Sequence, residues 1–166
     1  DGEFTRSLQL TTDSQNRIIV AESRNNRIQI FDSTGQFLHK FGAPGDGIGQ
    51  VDGPSGLATD LNDNIYTSEA GNHRVQAFNS DGQPQSFFGS MGSAEGLFNT
   101  CSELAFAADI TGSVEGSTGK LIVADAGNDR IHVQTLRHQR TFQCDLRILI
   151  HDWHNYPRRT PLTFCR

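Results

Sequence analysis

The chain has 166 residues, enough for one domain or for a piece of a larger one, and 35% of them are hydrophobic. No run of 18 or more apolar residues occurs, so the sequence offers no candidate for a membrane-spanning helix. The net charge of -5 is unevenly distributed: residues 1–136 hold 17 Asp and Glu against 8 Lys and Arg, whereas residues 137–166 hold 2 Asp against 6 Arg. The acidic part disfavours a surface that follows nucleic-acid phosphates.

The first part of the chain alternates short apolar stretches with polar turns, which predicts β-strands and no helix. In chain order we expect strands at 7–11, 17–21, 27–31 and 36–41. Asp32–Gly35 forms a predicted turn, in which Gly35 is free to take a positive φ. Residues 42–53, with six Gly or Pro, form a loop before the next unit.

The next two units repeat this pattern. The second follows at an offset of 47 positions, the distance from Arg27 to Arg74, and its predicted strands are 56–59, 64–68, 75–78 and 85–88. The third has strands predicted at 104–107, 120–124 and 131–134, and it gains nine residues within 106–119. This insertion lengthens the turn between its first two strands and predicts a loop that overhangs one end of the structure.

The pattern fails after Gln134. By composition, residues 141–144 and 147–151 are compatible with strands, and 156–166 suggest an extended tail. Four short antiparallel strands per unit, in repeated units, predict the blades of a β-propeller. We therefore divide the chain into blades at 1–48, 49–95 and 96–145, followed by a divergent basic tail at 146–166.

A polar motif recurs between the second and third strands of every unit. It consists of an acid, an Asn three positions later and an Arg two positions after that. Its members are Glu22, Asn25 and Arg27; Glu69, Asn72 and Arg74; and Asp125, Asn128 and Arg130. The acid and the Arg flank a turn, which predicts a cross-strand ion pair of about 0.2–1 kcal/mol if exposed. The Asn is typical of a turn position that bonds nearby backbone and tolerates a left-handed conformation, so we interpret the motif as structural.

These residues carry a family resemblance. Acid-x-x-Asn-x-Arg-Ile/Val-Gln-x-Phe, preceded by Ile-Val-Ala or Ile-Tyr and followed by a Gly turn and Phe-Gly, resembles the NHL repeat over about Gly2 to Val133. The units are most similar to the C-terminal repeats of TRIM-NHL proteins. The resemblance implies an all-β, six-bladed propeller, of which this chain has about three four-stranded blades, and one propeller face that binds protein or RNA stem-loops.

The same resemblance implies a non-catalytic protein-interaction scaffold, and in a TRIM-type ubiquitin ligase it would be the part that recognises the substrate. The ligase activity of such proteins lies in a RING domain, and this sequence has no RING ligand pattern. RNA binding is the first alternative, although the RNA-binding members use a basic face. The compartment stays open: cytoplasmic for a TRIM-NHL protein, secreted or periplasmic for related propellers.

A metal-dependent lyase is the second alternative, because peptidyl-hydroxyglycine lyases resemble NHL propellers and hold metals in the central channel. Their His ligands lie on inner strands, whereas the predicted first strands here contain no His, Cys or Asp. The pair His151 and His154 has no third ligand at a fixed spacing. Cys101 precedes a first strand and is interpreted as a small buried apolar residue. We therefore expect no catalytic, cofactor or metal residue.

Three blades cannot close a ring, so each end blade has one uncovered face. Such faces would expose apolar side chains and favour association. The chain is thus a fragment of a longer propeller, half of a ring that a second copy completes, or a truncated product.

Overall fold

The computed structural model describes residues 2–4, 7–109, 117–137 and 143–149, and every structural statement below concerns these ranges. The predicted overhanging loop and the tail with His151 and His154 lie largely or wholly outside them. Within them the chain forms twelve β-strands and one short 3-10 turn. The strands make three separate four-stranded antiparallel sheets, which confirms the all-β prediction.

The first two sheets have the same design. Blade 1 consists of β1 (Ser7–Thr12), β2 (Ile18–Glu22), β3 (Arg27–Phe31) and β4 (Phe37–Phe41). Blade 2 consists of β5 (Pro54–Thr59), β6 (Ile65–Glu69), β7 (Arg74–Phe78) and β8 (Pro84–Phe88). In both blades every strand pairs with the next one along the chain, so the four strands form a simple meander.

Blade 3 is a longer version of the same meander. It consists of β9 (Cys101–Ala108), β10 (Ser117–Asp125), β11 (Arg130–Arg137) and β12 (Gln143–Leu149), with a 3-10 turn at Ala126–Asn128. The loss of sequence pattern after Gln134 does not end the sheet, because β12 pairs with β11 from Arg130↔Leu149 to Thr135↔Gln143. One strand replaces the two short ones expected at 141–144 and 147–151. Ladder hydrogen bonds join backbone groups, so pairing does not require the repeat's side chains.

The same pattern of side-chain to backbone hydrogen bonds closes four of the turns. An Asp or Asn oxygen accepts hydrogen bonds from the backbone N–H groups two and four positions later. The residues concerned are Asp13 and Asp60 between the first and second strands of a blade, and Asp32 and Asn79 between the third and fourth. Such Asx turns supply acceptors for N–H groups that the ladder leaves unpaired, which explains why polar residues separate the strands here.

Neighbouring blades bury apolar side chains between their flat faces. Between blades 1 and 2, the fully buried Ile19 and Ile28 share one core with Leu57 and Phe78. The ring of Phe41 lies 4.7 Å from that of Phe78, centroid to centroid. The matching core between blades 2 and 3 contains Tyr66, Val75, Phe98, Leu104, Leu121 and Val123. Each blade thus depends on its neighbours for burial, as in other repeat proteins.

The meander places the connections on two opposite faces. The turn face holds residues 13–17, 32–36, 60–64 and 79–83. The loop face holds the turns between second and third strands (23–26, 70–73 and 126–129) and the interblade loops 42–53 and 89–100.

Two glycines allow the energetic cost of a strained backbone to be measured separately from the cost of overpacking the core. Gly89 has φ +93°, and a Cβ built on it would lie 2.3 Å from the Phe98 ring, whereas Gly35 has φ +84° with nothing within 4 Å. We expect Gly35→Ala to cost about 1–2 kcal/mol from the left-handed backbone alone. Gly89→Ala should cost about 1–3 kcal/mol more because it overpacks the core. Urea denaturation measures both, and equal losses would contradict the packing argument.

Candidate functional site

The polar motif of blade 2 is built around the carboxylate of Glu69, the last residue of β6. Glu69 lies opposite Arg74 in the ladder, and both side chains are buried, at 0% and 4% exposure. The carboxylate accepts hydrogen bonds from Arg74 Nε at 3.0 Å, Asn72 Nδ2 at 2.5 Å and Gln76 Nε2 at 2.8 Å. A fourth comes from the backbone N–H of Asp52 at 3.2 Å. Four donors on one buried carboxylate satisfy its hydrogen-bonding capacity.

The guanidinium of Arg74 also holds the interblade loop that precedes blade 2. It donates to the carbonyl oxygens of Gly47 at 3.0 Å and Gln50 at 2.9 Å, and to that of Asp46. Its carbon lies 4.4 Å from the centroid of the Phe87 ring, within cation–π distance. Arginine suits this position because its planar group presents five donors in fixed directions.

Blade 1 has the same cluster. Glu22 is fully buried and accepts from Asn25 Nδ2 at 2.7 Å, Arg27 Nε at 2.6 Å and Gln29 Nε2 at 2.6 Å. Arg27 donates at 2.9 Å to the carbonyl of Glu3, which belongs to the segment preceding the blade.

Blade 3 repeats the arrangement with a shorter acid. Asp125 accepts from Asn128 Nδ2 at 2.8 Å, Arg130 Nε at 2.7 Å and the N–H of Asn99 at 2.7 Å. Arg130 binds loop 89–100 through the carbonyls of Ser93, Ala94 and Leu97. Burial acts to raise the pKa of Asp125, but the hydrogen bonds from Asn128 and Asn99 and the charge of Arg130 outweigh it and hold that pKa below its ordinary value. Asp125 therefore stabilises the fold above its unfolded-state pKa, and the contribution is lost as pH falls through the lower folded-state pKa.

A fourth member of each cluster was part of the repeat pattern but was not assigned to the polar motif. Gln29, Gln76 and His132 lie two positions after the motif Arg, and all three side chains contact the acid. His132 Nε2 lies 3.2 Å from Asp125 Oδ2, and its ring lies 4.7 Å from that of Phe98. In blade 3, His132 stands where the other blades have Gln, and Asp125 stands where they have Glu. The sequence did contain a signal for this fourth member, because a polar residue recurs two positions after the Arg, between two apolar residues.

The geometry differs from the expectation in two respects. The ion pairs of blades 2 and 3 are buried, so removal of one partner there leaves an uncompensated charge away from water, whereas in blade 1 the acid is buried and the Arg27 side chain is 19% exposed. The motif Asn donates to the acid, and the left-handed residue is the next one along: Asn26 (φ 49°), His73 (φ 52°) or Asp129 (φ 51°). Two of these link blades, since Asn26 Oδ1 accepts from Gly53 N–H at 2.9 Å and His73 Nδ1 accepts from Thr100 N–H at 3.0 Å.

The loops held by these clusters present apolar and acidic side chains to solvent. Ile48 is 57% exposed and Met91 is 72% exposed, although both lie in loops pinned by a buried Arg. Asp46, Asp52 and Glu95 are exposed in the same loops. The loop face therefore combines fixed backbone, exposed aliphatic groups and negative charge.

Cys101 is buried as expected, and burial raises the pKa of its thiol to about 12, which makes it a poor nucleophile. In the ranges that the structure describes, no three His, Cys, Asp or Glu side chains are grouped in a way that could hold a metal ion. The helical content of those ranges is a single short turn, and none of it is long and apolar enough to cross a membrane.

Comparison with known proteins agrees with this architecture. The family model described as NHL repeat matches residues 9–31 and 52–78. Protein brain tumor of Drosophila melanogaster is 41% identical over 58 residues, which are 35% of this chain and 6% of that protein. Protein lin-41 of Caenorhabditis elegans is 48% identical over 40 residues, which are 24% of this chain and 4% of that protein. The chain therefore spans only a small part of these relatives, both of which are TRIM-NHL proteins.

A solved structure titled as a streptogramin B lyase superposes with a TM-score of 0.59 at 16% identity, over 82% of this chain and 39% of that one. At this identity the likeness shows the fold alone. The chain therefore contains NHL repeats at residues 9–31 and 52–78, its three sheets are β-propeller blades, and in its matched segments it is similar to TRIM-NHL proteins.

Proposed function

We propose that this chain is a non-catalytic scaffold that binds a protein partner on its loop face. The observation that carries the proposal is that the recurrent polar residues are buried and engaged in holding the interblade loops, while Ile48 and Met91 in those loops stay exposed. A pre-ordered surface with exposed aliphatic anchors loses little conformational entropy on binding. The resemblance to TRIM-NHL proteins supports the same function.

The charge of the loop face defines the partner's chemistry. Asp46, Asp52 and Glu95 are exposed in the same loops as the aliphatic groups, which favours a partner segment with apolar side chains flanked by Lys or Arg. An RNA partner would meet repulsion from these carboxylates. If the chain belongs to a TRIM-type ubiquitin ligase, the bound partner would be the substrate for ubiquitin transfer. The transfer itself would be carried out by a RING domain elsewhere.

Binding should be lost when the aliphatic anchors become charged. We expect the double variant Ile48→Asp/Met91→Asp to weaken binding of a captured, purified partner at least about tenfold, because each carboxylate would be buried without a pair. Leu61→Asp is the matched control, since Leu61 is 64% exposed but lies on the turn face. Partners are captured from nuclease-treated lysate and titrated by calorimetry. Equal affinity of the double variant and the control, or capture that requires RNA, would overturn the proposal.

A further inference from the structure

One hydrogen bond on the loop face joins blade 2 to the segment that leads into blade 3. The backbone N–H of Thr100 donates to Nδ1 of His73 at 3.0 Å. Thr100 belongs to the blade 3 side, because its carbonyl oxygen accepts from the Ala126 N–H at 3.2 Å. Both partners have a left-handed backbone, with φ 52° at His73 and 59° at Thr100. Non-glycine residues pay a steric cost there, so the bond holds Thr100 in a conformation that it would rarely adopt by itself.

The equivalent bond between blades 1 and 2 has the same arrangement but a different chemistry. The Gly53 N–H donates to Oδ1 of Asn26 at 2.9 Å, and these two residues lie 47 positions before Thr100 and His73. An amide oxygen accepts a hydrogen bond whatever the pH, and glycine adopts a left-handed backbone without strain. An imidazole nitrogen accepts only while it carries no proton. Of these two bonds, the one between blades 2 and 3 is therefore the one that depends on pH.

We propose that His73 is a pH-sensitive latch, which holds the Thr100 end of loop 89–100 to blade 2. Histidine is the side-chain type that ordinarily changes its charge between about pH 5 and 8. A proton on Nδ1 removes the lone pair that accepts the Thr100 N–H and sets two N–H groups against each other. The bond is therefore present in the neutral form and is lost as the pH falls. This latch goes beyond the proposed function, because it governs the joint between two blades and not the binding of a partner.

Several titratable and charged groups lie on the elements that adjoin this bond. The exposed carboxylates of the neighbouring turns and loops are Asp46, Asp52, Glu95 and Asp129. The two buried ion pairs are Glu69 with Arg74 and Asp125 with Arg130. Burial raises the pKa of the Cys101 thiol to about 12, and carboxylates as a class change charge at about pH 4. Near neutral pH the other group that could respond is His132, which is buried against Phe98, so a variant at His73 must separate the two histidines.

Exchange of the Thr100 amide with solvent, measured by NMR on the isotope-labelled whole chain, tests the latch. From about pH 7.5 to about pH 5.5 we expect Thr100 to lose at least about fivefold in protection, because one net hydrogen bond is lost. The rates are corrected for the intrinsic pH dependence of amide exchange. The Gly53 amide is the internal control, since its acceptor is Asn26 and its protection should stay constant over the same range.

His73→Asn is the matched variant, because it copies the blade 1 residue that accepts the equivalent bond. It should keep the Thr100 amide protected and remove the pH dependence, although His132 is still present. Equal protection of Thr100 at both pH values in the wild-type chain would overturn the proposal. A pH dependence that persists in His73→Asn would overturn it in favour of His132, and an equal change at Gly53 would show a general loosening of the blades instead of a latch.

Discussion

Replacing Glu69 with Ala is expected to lower the free energy of unfolding by about 3–5 kcal/mol, which is the usual result of removing one partner of a buried ion pair. The carboxylate receives four hydrogen bonds, and Arg74 is only 4% exposed. Without the acid, Arg74, Asn72 and Gln76 each lose an acceptor, and the buried charge of Arg74 loses its counterion. Urea denaturation followed by circular dichroism, at one fixed protein concentration, measures the loss.

Asp81→Ala is the control for this experiment, because Asp81 is an exposed acid in a turn of the same blade. Its loss should stay within about 0.5 kcal/mol. The double variant Glu69→Ala/Arg74→Ala should cost less than the sum of the two single losses, since it removes the stranded charge together with its partner. Additive losses, or a Glu69→Ala variant as stable as Asp81→Ala, would show that the pair is not coupled as the structure indicates.

The fold class could be predicted because several independent features of the sequence indicate the same repeat. Strand periodicity, Asx turns and the 47-residue offset all indicate the same unit, and agreement between levels identifies a fold well. Strand ends were less predictable. β9 begins at Cys101 and not at Leu104, and β12 forms where the pattern had failed, because backbone pairing extends wherever a neighbouring strand is available.

The candidate site was only partly predictable. Spacing placed Glu69 opposite Arg74, but it did not show whether water reaches the pair. Burial depends on loop 42–53, which folds over the cluster and is far from it in sequence. The exposure of Ile48 could not be predicted either, because a single apolar residue in a Gly-rich loop has no periodic pattern. The sequence also could not distinguish Leu10 from Leu57, whose different exposure reflects only the presence of a neighbouring blade.

Phe78→Ala is expected to lower the free energy of unfolding by about 3–5 kcal/mol, because it removes a fully buried aromatic ring from the core between blades 1 and 2. The ring fills the space beside Phe41, and the surrounding strands are held by ladder hydrogen bonds that limit their collapse into the cavity. Leu38→Ala is the control, since Leu38 lies on the outer strand at 46% exposure. It should cost less than about 1 kcal/mol.

The third blade supplies an internal comparison for the same position. Gln134 occupies the place of Phe78 and is buried, with its amide donating to the Thr135 carbonyl at 3.4 Å. A buried amide with one long hydrogen bond contributes less than a packed ring, so Gln134→Ala should cost less than Phe78→Ala. Urea denaturation of the three variants gives the order. If Phe78→Ala is as mild as Leu38→Ala, blades 1 and 2 do not share the core described here, and blade-to-blade burial is not what stabilises the chain.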